Sequence, residues 1–535
     1  MGEGRIDMKR YSWIFGALLV LTSCTGDFKD INTDLSGITD EDLQIDYNEH
    51  GIRLGVIQQG IYFNYDYGKG KNWPFQLIQN LNADMFSGYM HDGKPLNGGT
   101  HNSDYNMQDG WNSAMWTHMY SYIFPQIYQS ENATRDTEPA LFGITKVLKV
   151  EVMHRVTDYY GPVIYKNFAN AQNQYRPDTQ KEVYYEFFNE LDSAVVSLAD
   201  YIEKKPESNG FTRFDILLDG QYSSWIKFAN SLRMRLAMRI SAVDPDKART
   251  EFRKGLENEF GVFEAEAERV AVSTKSGFTN PLGELNRVWN ETYMSAAMES
   301  ILTGYDDPRL KVYFETCTDK AYAGEYRGIR QGTCFAHNHY AGLSKLSVDQ
   351  STDAPLMSSA EVWFLRAEAA LRGFSNETPK TCYETGIKTS FAQWGVGDAT
   401  NYLASDKKPS DYKEMVPASG GKDMKALITI SPKWNDTAGK EGQLEQIITQ
   451  KWLACWPESY EAWSEQRRTG YPKLFKVQTN NSGGTIDTND MIRRLPFSTD
   501  DADKDPVQYD LLKKALGGPD HGGTRLWWDA GKNNF

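Results

Sequence analysis

Cysteine is scarce in this chain, with five residues in 535, so a disulfide-dense scaffold is excluded. Histidine is equally sparse, with eight residues, and no Cys/His spacing completes a four-ligand metal site. Basic residues number 58 against 72 acidic ones, a formal charge of −14. A chain without a basic excess is a poor fit to nucleic acid, which needs cations against its phosphates. Mean hydropathy is −0.59, and no apolar run approaches the roughly 20 residues that span a bilayer. Walker A, Gly-x-Ser-x-Gly and His-Glu-x-x-His patterns are also missing.

Aromatic residues, by contrast, are abundant: 14 Trp, 30 Tyr and 25 Phe. They supply a large core and leave rings over for recognition. The longest apolar run, Trp13 to Leu21, follows Lys9 and Arg10 and ends in Leu21-Thr22-Ser23-Cys24. That order reads as a signal peptide over residues 1–23 closed by a lipobox, with Cys24 the lipidated first residue of the mature protein. Residues 24–46 are polar and acidic and read as a tether. Residues 47–535 read as a single domain.

Within that domain the periodicity is mostly helical. Leu141, Ile144, Leu148, Val152 and Val156 share one face of a helix starting near Pro139 and stopping at Gly161-Pro162. Thr179 and Glu182 form a capping box ahead of the Val183–Leu198 stripe. Further helices carry Trp225 to Leu236, a start near Asp353-Ala354-Pro355 running to Gly373, and a segment around Tyr383 to Trp394. A last pair, Leu444 to Trp456 and Tyr460 to Arg468, is broken by Pro457. The segments suggest helical hairpins stacked side by side, as in a divergent tetratricopeptide array. No clean signature of about 34 residues per repeat is present, so the periodicity by itself supports a mostly α fold and no more.

Three stretches read as loop-rich excursions, near residues 65–109, 261–340 and 398–441, and loops this long in a compact domain are usually functional. A sugar ring offers an apolar C–H face and a rim of hydroxyls, which suit a flat aromatic ring and nearby amides. Trp73, Tyr89, Trp111, Trp289, Tyr293 and Tyr326 are therefore candidate stacking platforms, with Asn72 and Asn106 as polar companions. Trp116 and Tyr120, four apart, read as helix core instead. Cys317 and Cys334 are the closest cysteine pair and a candidate disulfide.

Several stretches together resemble the SusD/RagB family of surface glycan-binding lipoproteins. They are Glu361-Val362-Trp363-Phe364-Leu365-Arg366-Ala367-Glu368, Gln450-Lys451-Trp452, Glu461-Ala462-Trp463 through Gly470-Tyr471-Pro472, Thr157-Asp158-Tyr159-Tyr160-Gly161-Pro162, and Asp307-Pro308-Arg309-Leu310. The lipobox and Ile31-Asn32-Thr33-Asp34 complete the order. Leu35, where Pro is usual, and the Ser498-Thr499-Asp500 stretch depart from the family pattern. The resemblance implies four tetratricopeptide-like units, an outward-facing outer-membrane lipoprotein, and a SusC-like TonB-dependent transporter over which it sits as a lid. It implies capture of oligosaccharides for import, no catalysis and no cofactor.

Glu461 and Glu465 share a helical face, so a surface glycoside hydrolase is an alternative, and a peptide- or protein-binding lid is another. Cys334, His337 and His339 form a compact group without a fourth ligand. Asp501, Asp503 and Asp505 mimic a calcium loop, but Pro506 stands where Gly is needed and Leu512 where Glu is needed.

Overall fold

The computed structural model describes residues 48–62, 73–169, 176–205, 211–333, 340–415, 420–531 and 533–535. The chain divides into Met1–Glu49 and His50–Phe535. The leader, Cys24 and the tether lie outside the described residues, as do Asn72, Cys334, His337 and His339. No helix among the described residues is long and apolar enough to cross a membrane.

Helices of ten or more residues are α1 Asn48–Gly60, α2 Phe124–Thr134, α3 Pro139–Tyr160, α4 Gln180–Lys204, α5 Tyr222–Arg239, α6 Pro245–Leu256, α7 Ala296–Tyr305, α8 Ser359–Arg372, α9 Pro379–Gln393, α10 Gly439–Ala454, α11 Ser459–Thr469 and α12 Pro506–Leu516. They stack as successive hairpins. α3 packs on α2 and α4, α4 on α5, and α5 on α6; further along, α8 packs on α9 and α10. This is the mostly α scaffold the periodicity supports, with the tetratricopeptide-like stacking that the family resemblance implies.

Local chemistry sets the ends. Pro139 opens α3 where no intrahelical N–H is lost. Gly161, at φ 87°, closes it in a conformation that side chains resist. Thr179 and Glu182 complete the predicted capping box of α4. Ser358 caps α8 through the Glu361 N–H.

Two expectations need correction. Leu356 does not sit in a helix, because Ala354–Ser358 forms strand β4, paired antiparallel with β2, Arg269–Val272. The 261–340 stretch also contains α7 and a short helix, Pro281–Arg287. Its Gly, Asn and Pro content hides helices that packing stabilises. Cys317 is a buried free thiol within 3.5 Å of the Ser344 hydroxyl.

The scaffold's centre is ionic. Arg235 and Arg239 of α5, Glu361 and Glu368 of α8, Lys451 of α10, and Glu461, Glu465 and Arg468 of α11 are at most 3% exposed. Arg235 pairs with Glu361 at 2.6 Å, and Arg239 pairs with Glu465 at 2.8 Å and also with Glu461. Lys451 reaches Glu461 at 2.6 Å and Glu465 at 3.2 Å. Arg468 holds Glu368 at 2.6 Å and Glu465 at 2.7 Å. The predicted Glu368–Arg372 pair forms at 2.8 Å. Glu151 and Arg155 of α3 meet at 2.7 Å beside it.

Removing one partner strands the others without solvent. We therefore expect Arg468→Met to lower unfolding free energy by about 3–5 kcal/mol, measured by urea denaturation. A loss under about 1 kcal/mol, typical of a surface pair, would show that the network is not structural.

Candidate functional site

The first two excursions are physically joined. Strand β1, Met90–Asp92, pairs antiparallel with β3, Thr292–Met294, in the register Met90–Met294, His91–Tyr293 and Asp92–Thr292. The Gly93 N–H continues the ladder to the Glu291 carbonyl at 2.9 Å. A Cβ at Gly93 would lie 2.3 Å from the Tyr293 ring, so only glycine allows that approach.

Tyr89 and Tyr293 anchor this joint and are not platforms. Tyr89 is fully buried, with Trp452 at 4.8 Å and Trp456 at 5.2 Å, and its hydroxyl donates to the Trp452 carbonyl. Tyr293 packs among Cys317, Ile329, Tyr340 and Leu343, and its hydroxyl donates to Asn290 Oδ1. Loop position alone does not separate an anchor from an exposed ring. Tyr89 lies just before β1 between Gly88 and Met90, and Tyr293 lies in β3 between Thr292 and Met294, so no local alternation marks either as inward-facing.

The three candidate tryptophans are accessible. Trp73 is 44% exposed, while Trp111 and Trp289 are half-buried. The Lys94 ammonium donates to the Trp289 carbonyl at 2.7 Å and to Glu291 Oε1 at 2.9 Å. Glu291 Oε2 accepts from Gln76 Nε2 at 2.5 Å, one turn after Trp73. The Gln76–Glu291–Lys94 chain thus ties the Trp73 segment to the Trp289 loop.

Trp73 also meets His118 edge-on at 5.7 Å, and His118 lies 5.7 Å from Tyr122, which is 45% exposed. This row was not legible as a site. His118 and Tyr122 are four apart, but nothing local predicts Trp73 beside them. Tyr326 is half-buried, and burial raises its hydroxyl pKa. Asn106, also half-buried, uses its N–H on Asp104 and its carbonyl on Gln108.

Glu461 and Glu465 do not face a cleft. Burial would raise both carboxyls, but the cations against them outweigh it: Arg239 and Lys451 hold Glu461 below its ordinary range, and Arg468 and Lys451 hold Glu465 well below it. Neither is a poised acid with room for a sugar. Asp505 caps α12 by accepting the Gln508 N–H at 3.0 Å. Among the described residues no group of three or more His, Cys, Asp or Glu could hold a metal.

The long helices stack as hairpins into a tetratricopeptide-like scaffold that carries two hydrogen-bonded, aromatic excursions. The chain belongs to the SusD-like family, "Susd and RagB outer membrane lipoprotein", whose model matches residues 30–529. It is 50% identical to a SusD homologue from Bacteroides vulgatus, covering 92% of this chain and 99% of the other, with a TM-score of 0.87. A chitin-binding SusD homologue from Flavobacterium johnsoniae is 37% identical, over 91% and 100%, with a TM-score of 0.86. One from Bacteroides uniformis is 30% identical, over 90% and 99%, with a TM-score of 0.82. No curated protein matches. The family is one of outer-membrane lipoproteins.

One titrating pair supports the face. Asp92, at the end of β1, lies 3.1 Å from His101 Nε2, and the His101 ring lies 5.5 Å from Trp111. Burial lowers the His101 pKa, but the Asp92 charge overrides it and raises the imidazole above 6.5. Burial raises Asp92, and the two neighbouring histidines override that and lower it below 3.8. A raised histidine stabilises fully below its unfolded pKa and loses the contribution as pH rises through the folded one; a lowered carboxylate loses its contribution as pH falls. The pair therefore stabilises most between about pH 4 and 6.5. We expect the melting-temperature advantage of the parent over His101→Gln to shrink as pH rises above 6.5. The comparison is between the two proteins because His91, His118 and His154, whose pKa values burial lowers, act in the opposite direction in both. An advantage that stays constant with pH would assign the pH dependence to other groups.

Proposed function

We propose that this chain is a cell-surface lipoprotein that captures oligosaccharides on its joined excursions and passes them to a SusC-like TonB-dependent transporter. The observation that carries the reading is the β1–β3 joint. The Gln76–Glu291–Lys94 chain ties the Trp73 segment to the Trp289 loop across it, and Trp111 lies beside His101. Rings for C–H faces and fixed polar groups for hydroxyls thus occur together. Asn72, beside Trp73 in sequence, and half-buried Asn106 and Tyr326 remain candidate contacts. Family membership and a chitin-binding relative at 37% identity favour a glycan over a peptide. Chito-oligosaccharides are the first ligands to try.

The test is a glycan array on the mature protein, followed by calorimetry with the ligand it identifies. A stacked ring contributes about 0.5–1.5 kcal/mol beyond burial, and each 1.4 kcal/mol is about tenfold. Trp73→Ala, Trp111→Ala and Trp289→Ala should each weaken binding several-fold or more with circular dichroism unchanged. If all three bind like the parent, the ligand sits elsewhere.

Membrane attachment and partnership have their own test. Extraction in mild detergent and affinity purification should yield an acylated Cys24 peptide by mass spectrometry, together with a TonB-dependent transporter. An intact Leu21–Cys24 peptide would refute the anchor. Recovery of this chain alone, with its neighbouring transporter expressed, would refute the partnership.

A further inference from the structure

A second aromatic cleft lies between the Ser113–Ser121 segment and α12. It has a volume of 340 Å³ and is walled by Trp116, Tyr120, Tyr160, Phe497 and Tyr509. None of these residues belongs to the Trp73–Trp289 face. That volume is near the lower end of small-molecule sites, about 300–1,000 Å³, so the cleft suits one or two rings and not a polymer.

Its geometry comes from an irregular helix. Ala114–His118 runs into a π-helical turn, Met119–Ile123, a feature often found at functional sites. Trp116 and Tyr120, expected to be helix core, are instead half-buried walls. Their ring centroids are 4.7 Å apart, and Trp116 also meets Tyr160 and Phe497 edge-on. The Tyr120 hydroxyl donates to the Ile164 carbonyl and accepts from the Ile164 N–H. The Tyr509 hydroxyl donates to Asp520. Both phenols are locked by these bonds, so both offer their rings.

The polar requirement of the cleft is then carried by other groups. Gln508 Nε2 lines it, is shielded from solvent, and has no hydrogen-bond partner among the described residues. A shielded donor of this kind takes its partner from ordered water or from a bound molecule that offers an acceptor. Thr117 and Ser121 place exposed hydroxyls on the rim. Lys504 and Asp505 add one charge of each sign, so the lining favours no net charge on a ligand. An acceptor for Gln508, apolar faces for the rings and neutrality together describe a pyranose.

We propose that this cleft binds a neutral pyranose unit, independently of the loop face. The test is 19F NMR on the mature chain carrying Cys24→Ser and 5-fluorotryptophan. The Trp116 resonance is identified by its disappearance in Trp116→Phe. Probes are glucose, N-acetylglucosamine, maltose, cellobiose and N,N′-diacetylchitobiose at millimolar concentration. At least one should shift the Trp116 resonance. Ser121→Arg, from an exposed position, should weaken that response at least tenfold, and Gln508→Leu should weaken it several-fold. Trp289→Ala should leave it intact, which separates this site from the loop face even if the loop face binds nothing. The proposal is overturned if no sugar shifts the resonance, if a folded Ser121→Arg responds like the parent, or if Trp289→Ala abolishes the shift.

Discussion

The scaffold of this protein depends on charge buried without solvent. α5, α8, α10 and α11 each bring ionised side chains to one centre, and every carboxylate there faces at least one guanidinium or ammonium. Such pairs add little net stability, because desolvation cancels much of the Coulomb gain. What they impose is registration. An apolar interface tolerates a shifted contact, whereas a helix displaced by a turn here would leave a charge unpaired. The residues that resemble family motifs, from Glu361 to Glu368 and from Glu461 to Arg468, are these same ions, so the motif records a packing constraint and not a catalytic one.

Much of this fold was legible in the sequence. The α3 stop at Gly161, the capping box of α4 and the break at Pro457 all follow from local chemistry that the structure reproduces. The β4 strand was not legible, because Ala354 to Ser358 carries no alternating pattern and its pairing with β2 is a contact across 80 or more positions. The same limit applies to the face. Composition located the excursions, but only long-range pairing decides that Tyr89 and Tyr293 turn inward while Trp73 and Trp289 stay accessible. Trp116 and Tyr120 mislead in the opposite sense, since spacing of four fits a core stripe equally well as the wall of a cleft.

Scaffold and first excursion are coupled through α3, α10 and α11: Tyr159 donates to the Ile78 carbonyl, Ser459 bonds Asp84, and Phe86 packs on Trp463. Trp452 donates to the Ser87 carbonyl at 2.9 Å, and Tyr89 bonds back to the Trp452 carbonyl, so α10 grips the excursion just before β1. Lys451, the preceding residue, belongs to the ionic centre. Adjacent positions on one helix thus serve the two halves of the molecule.

The β1–β3 ladder is only three residues long, and it falls within each excursion and not at its end. The mostly exposed stretch 94–100 after β1 is therefore an arch held by this clamp at one end and by buried His101 at the other. The arch can lengthen or change composition at modest entropic cost, since doubling a loop adds only about 0.6 kcal/mol. Its reach and chemistry can drift in evolution while the clamp, and the helices beneath it, stay as they are.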